Sequence, residues 1–152
     1  MELKDVTEGL PEGVEKQIQK NEKVYYFSYI SYKGGCFSSS NKEEYWIALT
    51  DKRVLYKAKV KEDNKLVEKD GILPFEKVSF IEVTETKESS GCRSSQNYGI
   101  RISTSGGTVF IPIPTKEKGY EIRETYSKIE NNRTRSKKKR KKWLIKCLMR
   151  SP

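Results

Sequence analysis

The stretch EYWIALTDKRVLYKAKV, residues 44–60, decides the fold that the sequence predicts. Two apolar-rich runs flank Asp51-Lys52, and residues 50–53 therefore predict a tight turn between two antiparallel strands. In the second run, mostly apolar residues alternate with mostly basic ones. The first set is Val54, Tyr56, Ala58 and Val60, and the second is Arg53, Leu55, Lys57 and Lys59. Such a period of two is typical of a sheet with one buried and one wet face.

Further strands are predicted on both sides of this hairpin. VYYFSYISY (residues 24–32) is rich in aromatic and β-branched residues, which favour a strand. A hairpin loop at KEDNK (61–65) leads into LVEKDGILPF (66–75), which holds a further strand or two, broken at Asp70-Gly71 and ended by Pro74. VSFIEVT (78–84) alternates again, with Val78, Phe80 and Glu82 on one face and Ile81 and Val83 on the other.

The last predicted strands form a second hairpin. A polar loop over residues 87–96 precedes YGIRIST and TVFIPIP, which are joined by SGG. Ile100 and Ile102 point to one side of the first of these strands, and Val109, Ile111 and Ile113 share one face of the return strand. Because Pro112 and Pro114 donate no ladder hydrogen bond, we expect the final strand to lie at a sheet edge or to leave the sheet.

Two helices complete the expected fold. Leu10, Val14 and Ile18 recur every four residues and predict a short N-terminal helix. A C-terminal helix follows Thr115, a suitable N-cap, with its apolar stripe at Ile122, Tyr126 and Ile129. The sequence therefore predicts a mainly β fold of about seven strands with a C-terminal helix. We expect an N-terminal lead over residues 1–9, one domain over 10–130, and a basic tail over 131–152 that is flexible or lies at an interface.

The positive charge belongs to the tail. The chain has 31 Lys and Arg residues against 21 Asp and Glu residues, but ten of the basic residues follow Glu130 and no acid does. Residues 1–130 are therefore balanced, and they offer no basic surface for nucleic acid.

The residue types that support catalysis or metal binding are few. Histidine is absent, and Cys36, Cys92 and Cys147 are far apart without a CxxC pair. This composition predicts neither a zinc site nor a disulfide framework, and it favours a reducing compartment. Most Asp residues fall in predicted turns, so we expect no enzyme and no cofactor.

The sequence resembles a known group of domains. The phrases WIALTDKRVLY, ILPFEKVSFIEV and YGIRISTSGGTVFIPI, followed by one amphipathic helix, look like the bacterial pleckstrin-homology-like domains, which are related to GRAM domains. The similarity runs from about Leu10 to Glu130. It implies a strongly bent antiparallel sheet or partly open barrel, closed at one end by the C-terminal helix. It also implies a platform for lipid headgroups, peptides or further copies of the domain. Free strand edges would allow a homo-oligomer.

The same resemblance makes one loop a candidate anion-binding site, namely SYKGGCFSSSNKEEY, residues 31–45. In membrane-binding eukaryotic relatives, basic residues on the first two strands and their loop hold phosphates. Here the loop lacks their Lys-x-Arg spacing, and Glu43 and Glu44 follow directly. An anion nest is one interpretation, and a flexible hairpin loop is the other. The nest would use the residues Lys33, Gly34, Gly35 and Lys42.

Five aromatic residues crowd the first predicted strand, namely Tyr25, Tyr26, Phe27, Tyr29 and Tyr32. A stacking platform for single-stranded nucleic acid is one interpretation. Packing into the core and across strands is the other, and we favour it because alternate side chains of a strand face the core.

The tail combines a charged run with an apolar end. Eight cations lie in ten residues: Arg133, Arg135, Lys137, Lys138, Lys139, Arg140, Lys141 and Lys142. Each cation held near an anionic bilayer contributes roughly 1 kcal/mol. The residues that follow are mostly apolar, with Trp143, Leu144, Ile145 and Leu148 able to form an interfacial helix, and Cys147 could accept a palmitoyl group.

The tail thus decides the expected function. We expect a non-catalytic, cytoplasmic module that associates peripherally with an anionic membrane, at its inner face, or with a protein partner. Without a signal peptide or a run of apolar residues long enough to cross a bilayer, contact is expected from the side. The alternatives are a nucleic-acid-associated protein that binds phosphates through the tail, and a tail that only adds solubility.

Overall fold

The computed structural model describes residues 3–33, 42–62, 65–90 and 93–148. Two helices are present in this part of the chain, α1 (Glu12–Glu15) and α2 (Lys116–Leu148). The strands are β1 (Val24–Lys33), β2 (Lys42–Thr50), β3 (Arg53–Glu62), β4 (Lys65–Pro74), β5 (Val78–Ser90), β6 (Arg93–Thr104) and β7 (Gly107–Ile113). A 3-10 turn, Phe75–Lys77, joins β4 to β5. The predicted mainly β fold with a C-terminal helix is confirmed.

The seven strands form two antiparallel sheets. One has the order β1-β2-β3-β4 and the other β5-β6-β7, and the described strands do not close into a barrel. The predicted edge position of the last strand is confirmed, because β7 pairs only with β6 within its sheet. The resemblance implied a strongly bent sheet or a partly open barrel; the described strands form two sheets, and the 3-10 turn after Pro74 lies between them.

The turn at residues 50–53 depends on the Thr50 hydroxyl. Its oxygen accepts the backbone N–H of Lys52 at 3.0 Å and that of Arg53 at 2.9 Å, and it donates to the Arg53 carbonyl at 3.0 Å. Thr50 is fully buried, and these contacts satisfy its hydroxyl without water. The predicted β2–β3 hairpin is therefore confirmed.

The main core joins both sheets to α2. It contains Ile47, Leu49 and Val54 from the first sheet, and Ile100, Ile102, Ile111 and Ile113 from the second. Ile122 and Ile129 close it from α2, with Tyr126 packed beside them. The predicted helix stripe is confirmed, as is its N-cap, since the Thr115 hydroxyl accepts the Lys118 N–H at 3.3 Å.

A second core covers the face of β3 that was predicted to be wet. Leu55 is fully buried there against Leu10, Val14 and Trp46. The prediction was wrong at Leu55 because the N-terminal segment folds over this face of the first sheet. Its helix is also shorter than predicted, since α1 comprises only Glu12–Glu15.

Two predicted breaks in the sheets do not occur. β4 runs through Asp70-Gly71, where Gly71 lies opposite Tyr56. A Cβ atom at Gly71 would lie 2.1 Å from the Tyr56 ring, so glycine makes room for this ring and does not end the strand. The polar loop predicted at residues 87–96 was also wrong, because β5 and β6 pair as far as Ser90 and Arg93. A ladder joins backbone groups, and polar side chains do not stop it.

The predicted faces of β5 need one correction. A bulge between Val78 and Phe80 shifts the register by one residue. Val78 therefore packs against the main core, whereas Phe80 is half-exposed. Ile81 and Val83 also pack against the core.

Candidate functional site

α2 continues well beyond the predicted end of its apolar stripe. The helix has 33 residues and extends without a break from Lys116 to Leu148, whereas the predicted helix ended near Glu130. At 1.5 Å per residue this corresponds to about 50 Å. Residues 120–148 contain neither glycine nor proline, and lysine and arginine are good helix formers. The cations of the tail are therefore carried on a helix that starts in the folded domain.

Glu76 fixes the first turns of this extension to the domain. Its Oε1 accepts from Arg133 Nη2 and from Lys137 Nζ, at 3.0 Å each. The Arg133 guanidinium also lies over the Phe75 ring, 4.8 Å from the centroid, and donates to Glu130 at 3.3 Å. The hydrogen bond from Lys137 and the charges of Lys137 and Arg133 lower the pKa of the Glu76 carboxyl.

The cations beyond this contact are accessible to solvent. Arg135 and all five residues from Lys138 to Lys142 are exposed. In an α-helix six consecutive positions are distributed around the whole circumference. The basic run 137–142 therefore surrounds the helix and does not form a stripe.

The end of the helix exposes large apolar side chains. Trp143 is 67% exposed and Ile145 is 47% exposed. Leu144 and Leu148 belong to the same helix, and the structure describes their backbone. At 100° per residue, the helical positions 143, 144, 145, 147 and 148 cover about 200° of the circumference, and the position of Lys146 lies outside this sector. The predicted helical end is present, directly after the basic run.

The predicted anion loop lies partly outside the described residues. Gly34 and Gly35 fall in that part, while Lys33 and Lys42 are the last register pair of the β1–β2 ladder. Glu43 and Glu44 lie opposite Tyr32 and Ser31 in the next two pairs. The structure thus brings two of the four candidate residues opposite each other, and the anion nest stays a prediction.

The aromatic strand β1 packs mainly into the cores. Tyr26 is buried in the main core with Tyr25 against it, and Phe27 packs in the second core with its ring 6.5 Å from that of Trp46. Tyr29 is half-exposed. A single exposed ring among these four gives no continuous stacking surface, which agrees with the interpretation as core packing.

One group of residues was missed by the sequence reasoning. A cavity of about 350 Å³ lies between α2, the start of β1 and the β2–β3 turn, and Arg133, Lys137 and Arg140 line one side of it. These three cations repeat the spacing of Ile122, Tyr126 and Ile129 eleven residues later. The signal was therefore present in the sequence, because the core-facing stripe of α2 continues as a basic stripe.

The described residues lack two further features, a metal site and a membrane-spanning helix. Within residues 3–33, 42–62, 65–90 and 93–148, no group of three or more His, Cys, Asp or Glu side chains is placed to hold a metal ion. Neither helix of that part of the chain combines the length and the apolarity that crossing a membrane requires. No protein-family model and no curated protein matches the sequence.

Proposed function

We propose that this chain is a non-catalytic interaction module of the pleckstrin-homology-like type, which associates peripherally with an anionic membrane through the end of α2. The observation that carries the proposal is the exposed apolar helix end, with Trp143 and Ile145, directly after a basic run that surrounds the same helix. The order of four strands, three strands and one C-terminal helix supports the pleckstrin-homology-like assignment.

The two parts of the helix would act on different layers of the bilayer. Six cations from Lys137 to Lys142 are long and flexible enough to reach lipid phosphates from all sides of the helix. Each contributes roughly 1 kcal/mol near an anionic surface. The next two turns would then lie at the boundary between headgroups and acyl chains, with Trp143 at headgroup depth and the position of Lys146 toward water.

The helical state favours this function over a flexible basic tail. As an isolated peptide, the end of α2 from Lys137 to Leu148 would be too short to form a stable helix in water. Here the helix is already nucleated by the folded domain, because Ile122, Tyr126 and Ile129 pack in the main core. The membrane therefore does not have to supply the free energy of helix nucleation. The inner face of a cytoplasmic membrane, which is anionic, is the proposed location.

The apolar end also favours a membrane over nucleic acid. Phosphate contacts by lysine and arginine supply most non-specific nucleic-acid affinity, and they do not need an exposed tryptophan. The balanced charge of residues 1–130 adds nothing to a nucleic-acid interface. Binding to nucleic acid is thus the main alternative outcome of the experiment.

The test distinguishes the contribution of the apolar side chains to membrane binding from that of the charges. Replacement of Trp143, Leu144 and Leu148 by serine retains every charge. We expect this variant to bind vesicles of phosphatidylglycerol and phosphatidylcholine at least tenfold more weakly, because each fully buried apolar side chain contributes about 1.5–3 kcal/mol. Co-sedimentation measures the affinity. Trp46 is already buried, so a blue shift of the fluorescence on binding reports on Trp143.

The control variant replaces two half-exposed apolar residues elsewhere, Ile72 and Phe80, by serine. It should bind the same vesicles as the parent chain does, and pure phosphatidylcholine vesicles should bind neither. Equal vesicle binding by the triple-serine variant and the parent would refute the apolar role of the helix end. Tight binding to duplex DNA that the triple replacement leaves unchanged, and that falls steeply with salt, would support the nucleic-acid alternative.

A further inference from the structure

We infer that the cavity between α2 and the β2–β3 turn is a binding site for a small phosphate monoester. The inference rests on the cavity and its cations, and it does not depend on the exposed end of the helix. The phosphate could belong to a lipid headgroup or to a free metabolite, and the chemistry of recognition is the same for both.

Three cations of α2 line this cavity from one side. Arg133, Lys137 and Arg140 occupy positions i, i+4 and i+7, which share one face of a helix. Asp51 is the one carboxylate in the lining, and its Oδ1 accepts the backbone N–H of Lys23 at 3.1 Å. The lining residues therefore carry a net positive charge, and they would attract an anion.

Hydrogen-bond donors remain for a ligand on all three cations. Arg133 uses two contacts, one to Glu76 and one to Glu130, of the five N–H groups that a guanidinium offers. Lys137 uses one contact to Glu76 of its three N–H groups. Arg140 has no ion pair within the described part of the chain. A phosphate monoester offers three acceptor oxygens and a charge near −2, which fits this donor set better than a single carboxylate does.

The other walls limit the size and polarity of the ligand. Leu3, Tyr25 and Ile129 contribute apolar surface, and Ser136 and Asn132 add polar groups on α2. The volume of about 350 Å³ is near the lower end for small-molecule sites. The site therefore suits a phosphate carried on a small organic group, such as glycerol, that can pack against the Tyr25 ring.

Glycerol 3-phosphate is the probe for the first experiment. Calorimetric titration of the full chain should show saturable binding. Arg140→Gln should weaken it by about tenfold, because hydrogen bonds to charged groups are worth about that much. Lys138→Gln is the matched control, because it removes the same charge from an exposed residue on the opposite side of the helix. That control should change the affinity by less than twofold.

A second experiment distinguishes the two sources of phosphate. Vesicles that contain phosphatidic acid carry the monoester as a headgroup. With the variant that carries serine at positions 143, 144 and 148, which lacks the apolar contact of the helix end, glycerol 3-phosphate should displace the chain from these vesicles if the lipid is the source. Binding of the probe without displacement would identify a free phosphate compound as the ligand. Absence of probe binding, or equal weakening by Arg140→Gln and Lys138→Gln, would overturn the site. Binding to phosphatidylglycerol vesicles through Trp143 can persist in that case, so the two proposals fail separately.

Discussion

At the scale of single residues, Arg53 connects the N-terminal segment to the β2–β3 turn. Its Nε and Nη2 donate to the two carboxylate oxygens of Glu22 at 2.9 Å each, and Nη2 also donates to the Gln17 carbonyl at 2.7 Å. Glu22 is buried, and its Oε2 accepts the Gln19 N–H as well. A bidentate pair of this kind holds the N-terminal segment over the first sheet. Arg53 therefore has a structural role, because it holds the N-terminal segment in place.

Loss of the Glu22 charge should destabilise the fold. We expect Glu22→Gln to lower the free energy of unfolding by about 3 kcal/mol at pH 7, because the Arg53 guanidinium would stay largely buried without its counter-charge. Urea denaturation measures this value. Glu12→Gln is the control: Glu12 forms an exposed pair with Lys16, and its loss should cost less than about 1 kcal/mol.

The same pair predicts the direction of a pH dependence. Burial by itself raises the pKa of Glu22, but hydrogen bonds from Arg53 and the Gln19 N–H outweigh it and leave the pKa lowered. The ionised carboxylate therefore stabilises the fold above its ordinary pKa, and this stabilisation is lost as the pH falls through the lowered pKa of the folded state. The stability difference between Glu22→Gln and the parent should shrink below about pH 4.5. A difference that stays constant down to pH 3 would contradict this account.

At the scale of elements, α2 lies against the sheets because of one glycine. A Cβ atom at Gly119 would lie 2.7 Å from Ile113 Cδ1, and 2.8 and 2.9 Å from the two Cγ atoms of Val83. The Ile113 methyl can rotate away, but the branched Val83 side chain has little freedom. Close approach of the helix therefore requires glycine at this position, although glycine is a poor helix former.

Replacement of Gly119 by alanine tests whether helix propensity or close packing dominates the stability at this position. Gly119→Ala gains about 1 kcal/mol of helix propensity, but overpacking of a core costs about 1–3 kcal/mol. We expect a net destabilisation of about 1 kcal/mol and a lower melting temperature in calorimetry. Gly13→Ala on α1 is the control, since its Cβ atom would meet nothing within 4 Å and should leave stability equal or higher. A higher melting temperature for Gly119→Ala would show that the contact is not tight.

The elements that the sequence predicted best are those with a turn signal between two periodic runs. Asp51-Lys52 and Ser105-Gly106-Gly107 both separate such runs, and both hairpins were located correctly. Periodicity describes side chains, so it did not detect the β5–β6 ladder over residues 87–96, where the side chains are polar. Burial of Leu55 could not be predicted either, because it depends on a segment more than 30 residues away in sequence.

At the scale of the whole molecule, the charge of the tail is readable from composition but its geometry is not. Counting residues located the positive charge after Glu130 and the apolar end after Lys142. Glu76, which lies 57 residues before Arg133, determines where the first cations of the extension are held. Contacts over such distances follow from the tertiary fold, and no local pattern signals them. The spacing of the three cations that line the cavity was visible in the sequence, but the opposite wall, formed by Leu3, Tyr25 and Asp51, was not.

The contact with Glu76 also predicts how the proposed membrane affinity can be increased. Glu76 neutralises part of the charge of Arg133 and Lys137, and it is itself exposed, so its carboxylate would repel an anionic surface nearby. Glu76→Gln removes this repulsion and releases two cations, each worth roughly 1 kcal/mol at such a surface. We expect vesicles rich in phosphatidylglycerol to bind this variant about fivefold or more tightly than the parent. The gain should fall as salt is added, because screening shortens the range of the attraction.

Glu15→Gln is the matched control: it changes the net charge equally, but Glu15 lies on α1 and has no ion pair among the described residues. Its affinity should rise by less than twofold. Unfolding measurements on both variants should show little change in stability, because exposed ion pairs contribute little to it. An equal effect of the two replacements would mean that net charge alone governs binding, and that the position of Glu76 against the helix has no part in it.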